Sequence, residues 1–139
     1  MALPRSTRPV RVIRLYWPVS VETIVAMTTG DGDAVARDPA LVAMFAIVRA
    51  DNALGDFGVY RSVVELAPGW EFFTPAAGAR PTLGTADTGQ ASPTVIVTLH
   101  VPADVRDDVF DQLLDQLIAA HPWEVPVIEL TAAALLLRR

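Results

Sequence analysis

The sequence predicts an α+β domain built on an antiparallel sheet of βαββαβ order, with helices on one face. Three observations predict it. Residues 94–101 read Thr-Val-Ile-Val-Thr-Leu-His-Val, a β-branched run that stops at Pro102. Residues 104–120 carry Val109, Phe110, Leu113, Leu114, Leu117 and Ile118 as one apolar stripe at helical spacing. Along the chain the segments follow as strand, helical region, two strands, helix, strand.

Taken in order, residues 1–9 are polar, with two prolines, and are expected to form a flexible tail ahead of one domain over 10–139. Residues 10–17 form the first expected strand, ended by Pro18. Residues 21–27 suit a short helix capped by Ser20, and residues 28–38, with Gly30-Asp31-Gly32-Asp33, read as a loop. Residues 39–50 place Leu41, Met44, Phe45 and Val48 on one helical face, with Asp38 as cap and Pro39 at the first helical position. These pieces make an inserted helical segment near residues 19–50. Residues 52–56 read as a turn and 57–66 as a strand. Ala67-Pro68-Gly69 is a turn signal, and 70–74 is the returning strand. Residues 75–92, rich in Gly, Ala, Pro and Thr, make an irregular connection of the kind that carries function. In the helix over 104–120, Asp104 is the expected N-cap, and the acids of its first turn suit the helix dipole. Residues 125–130 form the last strand and 131–137 a short terminal helix. A ferredoxin-like sheet is the economical arrangement of this order, and it leaves one sheet face open.

Composition narrows the function. The chain has 139 residues, 52% of them hydrophobic and 19% charged, enough for a core. Its mean hydropathy of +0.36 is high for so small a domain, so part of the apolar surface is expected to be covered by further subunits. The net charge of −5 argues against nucleic-acid binding, which leans on phosphate neutralisation. All eleven basic residues are Arg, which removes lysine-dependent chemistry such as a Schiff base. With no Cys there is no disulfide, no thiolate metal site and no thiol catalysis. The N-terminus lacks the apolar core of a signal peptide, and no run approaches the length of a bilayer span. A cytoplasmic protein without membrane contact is the expectation.

The chemistry-bearing candidates are few. His121 and Glu124 put an imidazole and a carboxylate close together, flanked by Pro122 and Pro126, as metal ligands or as a base and its orienting partner. The alternative is that His121 caps the long helix and Glu124 pairs with an Arg. Two ligands are too few for a tight metal site, so a neighbouring subunit would have to supply the rest. The Gly78–Gly84 loop with Arg80 suits an anion, through backbone N–H groups and a guanidinium; the alternative is a connection that needs glycines for positive φ. No residue is assigned a catalytic role, and the sequence gives little support for an enzyme. Asp31 and Asp33 lack the remaining spacing of a calcium loop.

Three stretches resemble one family. Ala53-Leu54-Gly55-Asp56-Phe57-Gly58-Val59-Tyr60 looks like a Gly-x-Gly-x-Ile-Gly-x-Tyr run. Residues 73–84, Phe-Thr-Pro-Ala-Ala-Gly-Ala-Arg-Pro-Thr-Leu-Gly, look like Phe-x-Pro-x-x-Gly-Ala-Asn-Pro-x-Ile-Gly. Residues 120–126, Ala-His-Pro-Trp-Glu-Val-Pro, are similar to Ala-His-Pro-Tyr-Glu-x-Pro. In that order they resemble the small PII-like domain inserted in Nif-three-like proteins, which also exists alone. The last motif is shared with the CutA-type divalent-cation-tolerance proteins. The resemblance covers about residues 50–131 and is weak over 17–40.

The resemblance implies a ferredoxin-like PII-like/CutA-like domain, assembled as a homotrimer, with a divalent metal ion or small anionic ligand in clefts between subunits. It recommends Tyr60, Arg80 and Trp123 as ligand-binding residues and His121 and Glu124 as metal ligands. Arg80 replaces the pattern's Asn, Trp123 its Tyr and Leu54 a small residue, and the lack of Cys disfavours copper. The expected function is an oligomeric binding or regulatory module. The alternatives are a structural oligomerisation partner and a metal-assisted hydrolase, the latter short of ligands with only two His in the chain.

Overall fold

A computed structural model describes residues 5–138. The elements run β1 (Thr7–Pro18), α1 (Val21–Thr29), α2 (Gly32–Ala36), α3 (Pro39–Arg49), β2 (Glu65–Phe73), β3 (Gln90–Pro102), α4 (Asp107–Ala120) and β4 (Val127–Leu136). The four strands form one antiparallel sheet in the order β2-β3-β1-β4, with β3 and β1 in the centre. This is the predicted α+β, ferredoxin-like arrangement, with α1–α3 in the first crossover and α4 in the second.

Strand parity divides the sheet into two faces. Ile13, Leu15 and Trp17 of β1 and Val95, Val97, Leu99 and Val101 of β3 point to the helices and are buried. They meet Leu41, Met44, Phe45 and Val48 of α3 and Phe110, Leu113 and Leu117 of α4. The helix stripes read from the sequence are the ones that pack. The caps follow as well: the Ser20 hydroxyl accepts from the Thr23 amide at 3.3 Å, and the Asp38 carboxylate from the Ala40 amide at 2.7 Å. Asp38 also accepts from the hydroxyls of Ser20 and Thr23, so one buried carboxylate ties the start of α1 to the start of α3.

Five local expectations are corrected. β1 begins at Thr7, paired with Leu136, so residues 7–9 are strand; residues 1–4 of the expected tail lie outside the described residues. Residues 32–36 form a helical turn, α2, with Asp31 capping the Ala34 amide, where a loop was expected. The hairpin at Ala67-Pro68-Gly69 does not form: β2 runs straight through it, and residues 57–64 are irregular. Pro is tolerated there because β2 is an edge strand, and Ile96 lies across Gly69, 3.4 Å from where its Cβ would be. Asp104 is not the cap of α4. The Val105 amide bonds back to the Pro102 carbonyl in a turn, and the helix starts at Asp107 after Arg106. Residues 131–136 are strand, not helix, zipped along β1 from Thr7↔Leu136 to Val12↔Thr131.

Among the described residues no helix is long and apolar enough to cross a membrane.

Candidate functional site

On the sheet face away from the helices, Glu71 and Phe73 of β2 alternate with Phe72, and Val127 of β4 lies across from Tyr16. Two irregular segments rise over that end of the sheet: residues 74–83 after β2, and residues 121–126 between α4 and β4. Together they enclose a cleft of about 370 Å³. Phe73, Pro75, Pro81, Leu83, Trp123 and Val125 supply its apolar wall, while Glu71, Thr82 and Glu124 supply polar groups.

The two segments are bonded to each other. The Thr82 amide donates to Glu124 Oε1 at 3.1 Å, and the Thr82 hydroxyl donates to Oε2. Phe73 and Trp123 meet edge to face, with ring centroids 5.1 Å apart, the geometry aromatic quadrupoles prefer. The Thr82 hydroxyl and amide hold the Glu124 carboxyl below its usual 4.5, because both bonds favour the charged form. Glu71 accepts from the Thr94 hydroxyl at 3.3 Å.

His121 stands behind this wall, 7% exposed. Its Nε2 donates to the Tyr16 carbonyl at 2.7 Å, and its Nδ1 accepts from the Trp123 amide at 3.1 Å. That pattern needs the neutral Nε2–H tautomer. Burial pushes its pKa below the usual 6.5, against the raising effects of the Tyr16 bond and the Glu71 charge. The ring also packs on Trp17, with centroids 4.7 Å apart. His121 occupies the C-cap position of α4, with its own amide bonded to Leu117 and Ile118. A neutral ring does not serve the helix dipole as a cation would. It orients the turn, so that Trp123 and Glu124 project into the cleft.

The candidates named from the sequence are thus split. Trp123 and Glu124 line the cleft together. His121 holds them in place with both ring nitrogens engaged. Arg80 is exposed and outside the lining, although Ala79 and Pro81 on either side belong to it. Tyr60 is exposed in the segment that reaches the far end of β3: its carbonyl accepts from the Phe57 amide, and Phe57 packs on His100. His100 lies eight residues along β3 from Ser92, the partner of Glu71, so Tyr60 sits toward the other end of that strand and outside the cleft lining.

Glu71, Phe73 and Thr82 are the site residues that sequence reasoning did not name. Phe73 and Thr82 sit inside the quoted 73–84 segment, and the alternation of a strand places Glu71 with Phe73; no sequence signal pairs Thr82 with Glu124. A divalent metal does not find a full ligand set in one chain. No group of three or more His, Asp or Glu comes together among the described residues, and the His121 nitrogens are already bonded.

No family model matches the chain, and no curated protein matches it. Among solved structures, the chain is similar to a Bacillus cereus protein related to NIF3, with 14% identity and a TM-score of 0.49 over 99% of this chain. It spans 28% of that protein's length. It is also similar to the periplasmic divalent cation tolerance protein CutA from Archaeoglobus fulgidus, with 14% identity and a TM-score of 0.42, covering 88% of this chain and 81% of the other. CutA1 from Oryza sativa follows at 13% identity and a TM-score of 0.35, covering 96% and 84%.

Proposed function

We propose that this chain is an oligomeric, PII-like/CutA-like binding module that holds a small cationic ligand in the cleft between residues 73–83 and 121–127. One observation carries the reading: the Thr82–Glu124 bonds draw two of the motif-bearing segments, forty-two residues apart, into the wall of one concave site. Of the two ligand classes expected, a cation suits the cleft better than an anion. Its charged side chains are Glu71 and Glu124, and Arg80 is not among the lining residues. A divalent metal would take those carboxylates and further donors from a second subunit.

The oligomer rests on β4. It is a ten-residue edge strand with Leu130 51% and Leu136 66% exposed and with Ala132, Ala133 and Ala134 uncovered between them. Natural edges are blunted by charge, Pro or bulges, and from Leu130 to Leu136 this one carries none of them. A second copy supplies what that edge and face lack.

Light scattering at micromolar concentration tests the assembly: a trimer is expected, and a monomer overturns the oligomeric module. The backbone amide and indole N–H signals of Trp123, followed by NMR during titration with divalent chlorides, alkylammonium chlorides and inorganic phosphate, test the cleft. Saturable shifts with at least one cation are expected. Silence with every ligand overturns the binding reading and leaves the structural partner.

A further inference from the structure

The cleft has more apolar wall than a simple ion requires. A divalent ion is held by several oxygen, nitrogen or water donors and gains nothing from carbon, whereas Phe73, Pro75, Pro81, Leu83, Trp123 and Val125 offer carbon and aromatic surface. An organic ammonium uses both kinds of surface. Its charge, less strongly hydrated than that of a divalent ion, pairs with a carboxylate or an aromatic face, and its carbon body buries against the rest.

We propose that the cleft takes a compact organic ammonium ion, with the charged nitrogen directed to Glu71 and Glu124 and the carbon body against Phe73 and Trp123. This deepens, and rests on, the reading of the cleft as a cation-binding site.

Four features support the commitment. First, the charges that line the cleft have one sign, so charge complementarity selects a cation. Second, Glu124 is positioned before any ligand arrives, held by Thr82 through both oxygens, while Glu71 lies 3.3 Å from the Thr94 hydroxyl and shares its single proton with the Ser92 carbonyl at 3.0 Å. Each carboxylate still has lone pairs to spare for a donor. The same Thr82 bonds favour the ionised form of Glu124. Third, the edge-to-face packing of Phe73 and Trp123 fixes two aromatic rings in the wall, and His121 locks the Trp123 backbone. A rigid aromatic surface loses little entropy on binding. Fourth, a volume of about 370 Å³ lies at the lower end of the range for small-molecule pockets, which favours a compact amine over a nucleotide-sized ligand.

The experiment is isothermal titration calorimetry of the full chain with n-butylammonium, tetramethylammonium, magnesium, zinc and phosphate salts, with the Trp123 indole signal followed by NMR in parallel. The inference expects saturable binding of an alkylammonium ion that shifts the Trp123 signal. It expects Glu124→Gln and Glu71→Gln each to weaken binding about tenfold or more, and phosphate to leave the signal unmoved. Both substitutions keep the side-chain size outside the core, and unchanged circular dichroism checks their fold. Trp123→Leu gives a second arm: it removes the aromatic face without touching charge, and tetramethylammonium affinity falls more than magnesium affinity. If zinc or magnesium binds with loss in Glu124→Gln while neither ammonium ion moves the Trp123 signal, the inference is overturned and the cation-site reading stands. If phosphate alone binds, or nothing does, both are overturned.

Discussion

At the scale of single residues, His121 shows how a residue can mark a site without being its reactive group. It looks like a ligand in the sequence because it stands two residues from Trp123 and three from Glu124. In the fold both nitrogens are bonded to the backbone, at Tyr16 and Trp123. Nothing in the sequence brings the Tyr16 carbonyl to it, since that contact spans 105 residues. The caps Ser20 and Asp38 were legible because their partners lie two or three residues away. Substituting His121 by Leu, of similar bulk, leaves a carbonyl and an amide without partners and is expected to cost about 1–3 kcal/mol in urea unfolding. The same residue sets a pH dependence. The unfolded imidazole takes up a proton near 6.5, whereas the folded one does so only at lower pH. Protons therefore favour the unfolded chain below 6.5, so this contribution is complete above that value and declines as pH falls through it. The urea midpoint of the wild type should drop between pH 7.5 and 5.5 more steeply than that of His121→Gln; parallel curves would refute the assignment. At Glu124 the sign is the ordinary carboxylate one. Thr82→Val removes the hydroxyl bond, and the Glu124 pKa, read by NMR titration, should climb back toward 4.5.

At the scale of elements, the errors of local reading have a common cause: pairing partners far along the chain overrule short-range preference. Residues 131–137, Thr-Ala-Ala-Ala-Leu-Leu-Leu, are strong helix formers. An isolated helix of that length is marginal, while the outer edge of β1 offers a continuous ladder of hydrogen bonds. Ala67-Pro68-Gly69 has the composition of a turn, but the open edge of the sheet accepts a residue with no N–H, so β2 continues. The periodic helices and the central strand β3 were legible because their own side chains fill the core. The irregular segment before β2 is held by a tighter device. Gly55 adopts φ +66°, its amide donates to the His100 carbonyl, and a Cβ on it would lie 2.2 Å from the Val63 carbonyl oxygen. Gly55→Ala is therefore both strained and blocked by backbone, which has no side-chain freedom to yield. A loss of about 2 kcal/mol or more is expected by thermal or urea unfolding, whereas Gly58→Ala, whose Cβ meets nothing within 4 Å, pays only for its φ of +79° and should lose less.

At the scale of the whole molecule, the high apolar content raised the question of what covers it, and the fold localises the answer. The face of the sheet toward the helices is sealed in the centre, yet β4 is left bare along its outer edge, and Phe72 on the opposite edge strand is 79% exposed. Both edges of a four-stranded sheet thus carry apolar side chains that a monomer leaves in water. The composition foretold that such surface exists. It does not say where, because the composition of residues 131–137 favours helix over the edge strand that the sheet makes of residues 131–136. Placing a lysine in that edge imitates the way natural monomers protect theirs. Leu136→Lys sits at the far end of β4, opposite Thr7 and clear of the core residues of α3 and α4, so the fold should survive, as circular dichroism would report. The proposed assembly should not survive, since each β4 edge would then bring an unpaired ammonium into an apolar contact. Light scattering should show the variant as a monomer, against the trimer expected of the wild type. A variant that remains fully assembled would move the interface away from β4.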